Sequence, residues 1–365
     1  MLRYISTFLT SFVKFFRQHI FVGIFLIIAL TIIRNGFSVY GLMWRDFEDE
    51  KPYEIPDTSG PMLFMEKIRI PNLLMELGNQ IGAKPYFFLH TLFILFCMAI
   101  ILRQISRIEM NFKLRIKLAL VLTYLPAVTI IFQRFGTFDT ICLLMSVIGV
   151  LTKTTLGSSI AALLFASTNA EGSLVSGLSL LLLHSTILFG VRSEELKFPT
   201  RSAKFGLFLV IFSAPFILSQ FSRPKESVLF SIFLVDSKNA VAQLIASGLL
   251  LLFSWLGPLW ILLHRILSSI SSSLSDKIIF VFLFIGCGTL IASDGTRNSA
   301  LGLTSMVVCL FFSNIGRDII NSFEKSVFIL FYIMPAMNIA NFNLVLPFYQ
   351  VLYLFDLARP YLITN

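Results

Sequence analysis

Charged side chains stand at a few isolated places in a chain that is otherwise strongly apolar. The densest group is formed by Arg45, Asp46, Asp49 and Glu50, just after the first long apolar run. A carboxylate accepts a proton from an attacking hydroxyl, and a guanidinium holds a phosphate through two parallel hydrogen bonds. These residue types in one segment therefore indicate either group transfer from a phosphorylated substrate or an ordinary charged surface loop.

Three further turns carry the same two residue types. Arg134 and Asp139 enclose one turn, Glu171 lies in the second, and Asp294 and Arg297 enclose the third. Each turn also has a purely structural interpretation. Asp294 and Arg297 have the spacing that allows pairing on one helix face, and Asp139 is placed to cap the helix that follows it.

The elements that must position these residues are transmembrane helices. Of the 365 residues, 56% are hydrophobic and only 13% are charged, and the mean hydropathy is +0.84. About twelve apolar runs are candidates for spans of a hydrocarbon core about 30 Å thick, although two of them, 140–151 and 155–167, are short enough to be re-entrant or buried. We therefore predict one all-α, polytopic domain over 1–365, with spans at 20–33, 85–102, 116–132, 140–151, 155–167, 173–191, 203–221, 240–263, 278–292, 299–313, 327–339 and 342–357.

The distribution of Lys and Arg gives the orientation. If every run crosses, 18 of the 29 Lys and Arg fall on the side that holds the N-terminus. Because positive residues are retained on the cytoplasmic side, both termini are predicted to be cytoplasmic, in a bacterial inner membrane. Residues 1–19 then form an amphipathic segment on the inner surface. The same distribution accounts for the net charge of +9 without a nucleic-acid partner.

All four polar turns fall on the outer face in this topology. The first extracytoplasmic loop, 45–84, is net acidic, and its amphipathic stretches 61–71 and 72–81 are separated at Pro71 and are suited to lying in the interface. A charge near the bilayer centre costs about 2.5–3.5 kcal/mol, so partly sunken acids need a reason to be there. A polar cavity that opens outward supplies one.

No metal site is predicted. The four cysteines lie in apolar runs without a C-x-x-C spacing, and only His90 among the four histidines is near the outer turns. A single histidine in an apolar run is usually a packed residue. No cofactor is indicated, although carboxylates are also compatible with a divalent cation.

Two of the polar segments resemble motifs of membrane glycosyltransferases, and a third resembles a turn of membrane proteins without a known activity. Asp49-Glu50-Lys51-Pro52-Tyr53 resembles the Asp-Glu pair with a nearby Tyr that follows the first span in branches of the C-type glycosyltransferase superfamily (GT-C). Phe135-Gly136-Thr137-Phe138-Asp139 is similar to the Gly-x-x-Asp turn of polyprenol-dependent members. Asp294-Gly295-Thr296-Arg297 is similar to an Asp-x-Thr-Arg turn of uncharacterised bacterial membrane proteins with this layout. The resemblance concerns the layout of roughly the first 170 residues.

The resemblance implies inverting transfer of a sugar from a polyprenyl-phosphate donor to an acceptor at the outer face. One acid among Asp46, Asp49 and Glu50 would be the base. The arginines would hold the leaving phosphate, and the remaining acids would orient sugar hydroxyls or those arginines. The substrate-binding set would then be Arg45, Arg134, Asp139, Glu171, Asp294 and Arg297, and the partners would be membrane lipid and a polyprenyl-phosphate-linked sugar.

Two other functions use the same layout. A polysaccharide polymerase or ligase would share the outer site but should carry a larger, arginine-rich outer loop, whereas residues 45–84 hold eight acids against five Lys and Arg. A transporter or flippase of lipid-linked substrates should show charges or Gly/Pro breaks at mid-membrane and two matching halves. Its prolines Pro215, Pro258 and Pro335 are scattered, and the sequence shows no clear repeat.

Overall fold

The computed structural model describes residues 68–185, 197–221, 256, 259–270, 295–324, 338–340 and 343–345. Within these ranges the chain is helical apart from one short hairpin. The helices are α1 Ile70–Ile81, α2 Ala83–Ile108, α3 Phe112–Thr123, α4 Pro126–Gln133, α5 Asp139–Leu151, α6 Thr155–Thr168, α7 Ala170–His184, α8 Ser202–Phe221, α9 Leu259–Ile270, α10 Gly295–Phe312 and α11 Asn314–Ser322. The strands are β1 Asn338–Ala340 and β2 Asn343–Val345, which pair antiparallel.

Two of these helices are long and apolar enough to cross a membrane, namely Ala83–Ile108 and residues Ser202–Ser219 of α8. A third candidate is the pair Ala300–Phe312 and Asn314–Ser322, if its 72° bend lies within one span. On α2, the large side chains of Phe88, Leu92 and Phe96 are exposed, as expected of a helix that faces lipid. The prediction of a helical chain of membrane type is confirmed at this level, and the number of twelve spans stays a prediction.

The predicted span 116–132 is two helices. α3 ends at Thr123 and α4 begins at Pro126, with Tyr124 and Leu125 between them. Proline lacks the N–H that a continuous helix would use, and it disfavours helical backbone at the residue before it. Leu125 is accordingly extended, and Pro126 starts the first turn of α4.

The predicted spans in the middle of the chain are short helices. α5, α6 and α7 have 13, 14 and 15 residues. At about 1.5 Å per residue each is roughly 20 Å long, which is less than a hydrocarbon core of about 30 Å. All 13 residues of α5 are buried, so this helix lies at the centre of the bundle.

Small residues allow α5 and α7 to pack closely against α8. A Cβ added at Gly149 of α5 would lie 2.2 Å from the ring of Phe205 on α8. A Cβ at Gly177 of α7 would lie 2.7 Å from the carbonyl oxygen of Gly206 on α8. Close approach of backbones at small residues is the usual way that helices pack in membranes, where water does not drive them together.

Five predicted inner segments meet at one end of the bundle. Arg107, Lys153 and Arg201 are linked by hydrogen bonds through backbone carbonyls. Arg317 lies 3.5 Å from a carboxylate oxygen of Glu109. Two further contacts complete the group: the Lys117 ammonium with the carbonyls of Asn321 and Phe323, and the Arg265 guanidinium over the Phe323 ring. We call this end, marked by Arg107, Lys117, Lys153, Arg201 and Arg317, the basic end.

Of the predicted stretches 61–71 and 72–81, the second forms α1, which begins at Ile70 with Pro71 in its first turn, where its missing N–H costs nothing. Two predicted boundaries are corrected. The predicted span 240–263 overlaps a described helix, α9, that continues to Ile270. The predicted span 342–357 begins with the strand β2 instead of a helix. Residues 1–67, which include the amphipathic segment 1–19, lie outside the described residues.

Candidate functional site

The turn between α4 and α5 is a fixed structure. The backbone N–H and the hydroxyl of Thr137 both donate to the carbonyl oxygen of Arg134, at 3.1 and 2.9 Å. Gly136 has a φ of +98°, which favours glycine, and a Cβ there would also collide with the ring of Phe87 at 2.1 Å. Both the positive φ and the adjacent Phe87 ring therefore require glycine at this position of the Gly-Thr-Phe-Asp sequence.

Aromatic side chains of α2 pack against this turn. The hydroxyl of Tyr86 donates to the carbonyl oxygen of Gly136 at 3.1 Å. The ring of Phe87 stacks on Phe135, and the imidazole of His90 meets Phe135 edge-on with ring centroids 5.1 Å apart. His90 and Tyr86 are one helical turn apart and stack on each other. We call Tyr86, Phe87, His90 and Phe135 the aromatic cluster.

His90 has an unsatisfied polar atom in this cluster. Its side chain is 7% exposed, and its Nε2 has no hydrogen-bond partner among the described residues. Buried polar atoms are normally paired, because leaving one unpaired costs about 1–3 kcal/mol. The expectation that His90 is a packed residue is correct for its ring, but a packing role leaves this nitrogen unexplained.

Asp139 and Arg134 stand at the two ends of the turn. Asp139 is 5% exposed and is the first residue of α5, while Arg134 is half-buried. The N-cap position of α5 belongs to Phe138 and has no side-chain cap, so the interpretation of Asp139 as the N-cap is wrong. A carboxylate in the first helical turn is still stabilised by the positive end of the helix dipole.

Glu171 lies at the start of α7, at the same end of the bundle as Asp139. The connection 152–154 makes α5 and α6 antiparallel, so the C-terminus of α6 and the start of α7 return to the end where α5 begins. Asn169 caps α7 by accepting from the N–H of Gly172 at 2.8 Å, which leaves Glu171 half-buried in the first turn. A Cβ on Gly172 would lie 3.3 Å from Cβ of Leu301, so α7 begins against α10.

Arg297 is placed by its backbone alone. It lies in the first turn of α10, one turn before Leu301, and therefore near the start of α7. The remaining members of the predicted site lie outside the described residues: Arg45, Asp46, Asp49, Glu50 and Asp294. The structure therefore places Arg134, Asp139, Glu171 and the backbone of Arg297 at one end of the bundle, which we call the Gly136 end. Among the described residues, no three His, Cys, Asp or Glu side chains form a group that could hold a metal ion.

An apolar cavity of about 100 Å³ lies between α2, α3, α4 and α5. Ile94 and Phe132 line its upper part, and Ile105 and Ala119 line its lower part. Thr123 is the polar residue in a lining that otherwise consists of aliphatic and aromatic side chains. From Ile94 to Ile105 the cavity follows α2 for about 16 Å, at about 1.5 Å per residue. We call this cavity the apolar groove.

The upper part of the groove adjoins the polar turn. Ile94 is one helical turn below His90 on α2, and Phe132 comes two residues before Arg134. A long apolar chain would therefore meet hydrocarbon along the groove, and its head would lie toward the turn that begins at Arg134. Sequence reasoning missed Tyr86 and the groove, although a Tyr and a His one turn apart in an apolar helix were a usable signal.

Comparisons with protein-family models, curated proteins and solved structures found no match to this chain.

Proposed function

We propose that this chain is an integral membrane glycosyltransferase that moves a sugar from a polyprenyl-phosphate donor to an acceptor hydroxyl at the extracytoplasmic face. The observation that carries the proposal is the apolar groove, whose lining reaches Phe132, two residues before the Arg134–Asp139 turn. Its lining matches a branched hydrocarbon chain. The half-buried guanidinium of Arg134 matches the phosphate that joins this chain to the sugar.

The proposed reaction is a single displacement. The acceptor oxygen bonds to the anomeric carbon while the carbon–oxygen bond to the phosphate breaks, and the phosphate keeps the electron pair. A carboxylate of Asp46, Asp49 or Glu50 takes the acceptor proton. Arg134, together with Arg45 or Arg297, stabilises the charge that develops on the phosphate.

The buried groups of the Gly136 end have positioning roles in this proposal. Asp139 and Glu171 accept hydrogen bonds from sugar hydroxyls or hold the arginines, and Asp294 belongs to the same set. His90 offers its unpaired Nε2 to the donor head group. The topology of about twelve spans, the GT-C type of fold, and a bacterial inner membrane with both termini inside belong to the same proposal.

The groove is tested with a polyprenyl phosphate that carries no sugar. Ala119→Phe fills the lower groove and should weaken binding by about tenfold or more, because the chain loses contact with several lining residues. Ala119→Leu fills less of it and should give an intermediate loss. Leu178→Phe enlarges an exposed apolar residue of α7 instead, so it controls for added bulk and should bind normally. Normal binding by both Ala119 variants, in monodisperse protein, would refute the groove.

The chemistry is tested separately by transfer from a labelled polyprenyl-phosphate sugar. At least one of Asp46→Asn, Asp49→Asn and Glu50→Gln should abolish transfer while donor binding persists, because the shape is kept and the proton acceptor is removed. Glu76→Gln, at an exposed position of α1 in the same loop, is the matched control. Full transfer by all three variants would exclude this loop as the source of the base.

The same assays separate the alternatives. A flippase would move the labelled lipid across the bilayer of a proteoliposome without releasing polyprenyl phosphate. A polymerase or ligase would transfer a lipid-linked oligosaccharide instead of a single sugar. Arg134→Lys should weaken donor binding by about tenfold in the transferase, because an ammonium lacks the planar fork of the guanidinium.

A further inference from the structure

A group of cations lies at the basic end, opposite the Gly136 end. Its framework is a hydrogen-bonded chain across three loops. The ammonium of Lys153 donates to the carbonyl oxygen of Arg107 at 3.0 Å. The guanidinium of Arg201 donates through Nε to the carbonyl oxygen of Lys153 at 3.2 Å and through a terminal nitrogen to the Thr155 hydroxyl at 2.7 Å. The acceptors are neutral, so these bonds gather positive charge without cancelling it.

No carboxylate among the described residues pairs with these cations. Glu109, the nearest acid along the chain from Arg107, lies instead against Arg317. Arg107, Lys153 and Lys204 are exposed, and Arg201 is half-buried. A lysine has three donors and an arginine five, so most of the donors in this group have no acceptor among the described residues. Like charges held together by the fold are stabilised by an anion that bridges them.

Exposed apolar stripes lead away from the cations along two helices. On α6, next to Lys153, the exposed residues Leu156, Ile160 and Leu163 follow a spacing of four and three, and Leu156 is 71% exposed. On α8, Lys204 begins a stripe that continues through exposed Leu207 and Ile211. Residues at these spacings share one helix face. α6 and α8 pack against each other, and both begin at the basic end.

A charged head and an apolar stripe together specify an amphipathic anion. A free phosphate would use the cations but would leave Leu156, Ile160, Leu207 and Ile211 exposed. A neutral lipid would cover the stripes but would leave the cations unpaired. We propose that Arg107, Lys153, Arg201 and Lys204 form a binding site for the head group of an anionic phospholipid, whose acyl chains lie along α6 and α8.

This inference depends on the membrane placement in the proposed function but not on glycosyl transfer. Phosphatidylglycerol binding to the purified full chain in detergent should be saturable and should exceed phosphatidylcholine binding, measured by native mass spectrometry. Lys153→Gln combined with Arg201→Gln should weaken it by roughly 30-fold, from about 1 kcal/mol for each basic residue near an anionic head group. Lys84→Gln combined with Lys113→Gln removes the same charge from exposed positions outside the group, and should weaken binding by less than about threefold.

Lys204→Gln tests the same site without the risk that the substitution unfolds the protein. Arg201 braces two loops, so its substitution could disturb the structure, whereas the exposed Lys204 makes no hydrogen bond within the described residues. Lys204→Gln alone should therefore weaken binding by about fivefold in an otherwise unchanged protein. Equal losses in the two double variants, or equal affinity for inorganic phosphate and phosphatidylglycerol, would overturn the proposal. A chain that binds phosphatidylglycerol but transfers no sugar would refute the proposed function alone.

Discussion

Gly136 shows how one residue carries two separate constraints. Its φ of +98° alone disfavours a side chain, and the ring of Phe87 fills the space where a Cβ would lie. Gly82 offers a matched comparison, because its φ is +83° and nothing lies within 4 Å of its added Cβ. Gly82→Ala should cost about 1–2 kcal/mol for the backbone alone, and Gly136→Ala should cost about 1–3 kcal/mol more for the collision.

The comparison is made by denaturant unfolding of the two variants in the same micelles. In the double variant Gly136→Ala with Phe87→Ala, no ring is left for the added Cβ to collide with. The collision should therefore no longer lower the free energy of unfolding. The double variant still carries the cost of truncating Phe87, which the single variant Phe87→Ala measures. Equal losses for Gly82→Ala and Gly136→Ala would mean that the Phe87 ring does not pack against the turn. In that case the aromatic cluster would not position Asp139.

For single residues, the sequence predicted where a turn lies but not which side chains contact it. The Gly-x-x-Asp pattern correctly marked a turn before an apolar helix. It could not reveal that Tyr86 and Phe87 hold this turn, because the contact joins residues 50 positions apart. Asp139 as an N-cap was a reasonable local prediction, but the helix begins one residue earlier than that prediction requires, so Phe138 is the N-cap.

Lys117 joins two helices that lie far apart in the sequence. Its side chain is 8% exposed, and its ammonium donates to the carbonyl oxygens of Asn321 and Phe323, each at 2.6 Å. These carbonyls belong to the C-terminal end of α11, where no intrahelical donor remains and a cation also favours the helix dipole. Lys117 therefore anchors α3 to the end of α11.

Replacing this lysine should destabilise the protein. Lys117→Met keeps the length of the side chain but leaves two carbonyl oxygens without their donor, at a cost of about 1–3 kcal/mol. Lys113→Met, at an exposed position one turn earlier on α3, should change stability by less than about 0.5 kcal/mol. Thermal unfolding of both variants gives the difference. An unchanged or more stable Lys117→Met protein would show that removing a buried charge outweighs the lost hydrogen bonds.

Helix lengths were the part of the fold that hydropathy predicted least well. Apolar runs extend over helix ends and turns alike, so the pattern could not place the break at Tyr124 and Leu125 or the end of α7 at His184. A buried helix and a spanning helix have the same apolar composition, and all of α5 is buried by its neighbours. Tertiary packing, which a single sequence does not display, decides between them.

The charge pattern was a better guide for the molecule as a whole. The residues predicted to share the inner surface do meet at the basic end, through contacts between segments as distant as Glu109 and Arg317. Topology makes this possible, because each antiparallel helix returns the chain to the opposite end. Which membrane face this end occupies stays a prediction from the Lys and Arg distribution.

Labelling of single cysteines tests that prediction. The native cysteines would be replaced by alanine, which should be tolerated because Cys97, Cys142 and Cys309 are buried and form no disulfide. Cysteines at exposed positions 113 and 318 report on the basic end, and cysteines at exposed positions 76 and 80 of α1 report on the opposite end. α2 connects α1 to the basic end over 26 residues, about 39 Å at about 1.5 Å per residue.

A membrane-impermeant maleimide should label Glu76→Cys and Gln80→Cys in intact cells. It should label Lys113→Cys and Asp318→Cys only after the membrane is permeabilised, because segments rich in Lys and Arg stay on the cytoplasmic side. The reverse pattern would move the Arg134–Asp139 turn to the cytoplasmic face and exclude an extracytoplasmic acceptor. Labelling of all four positions from one side would mean that α2 does not cross the bilayer, and the apolar groove would then lose its access to a membrane lipid.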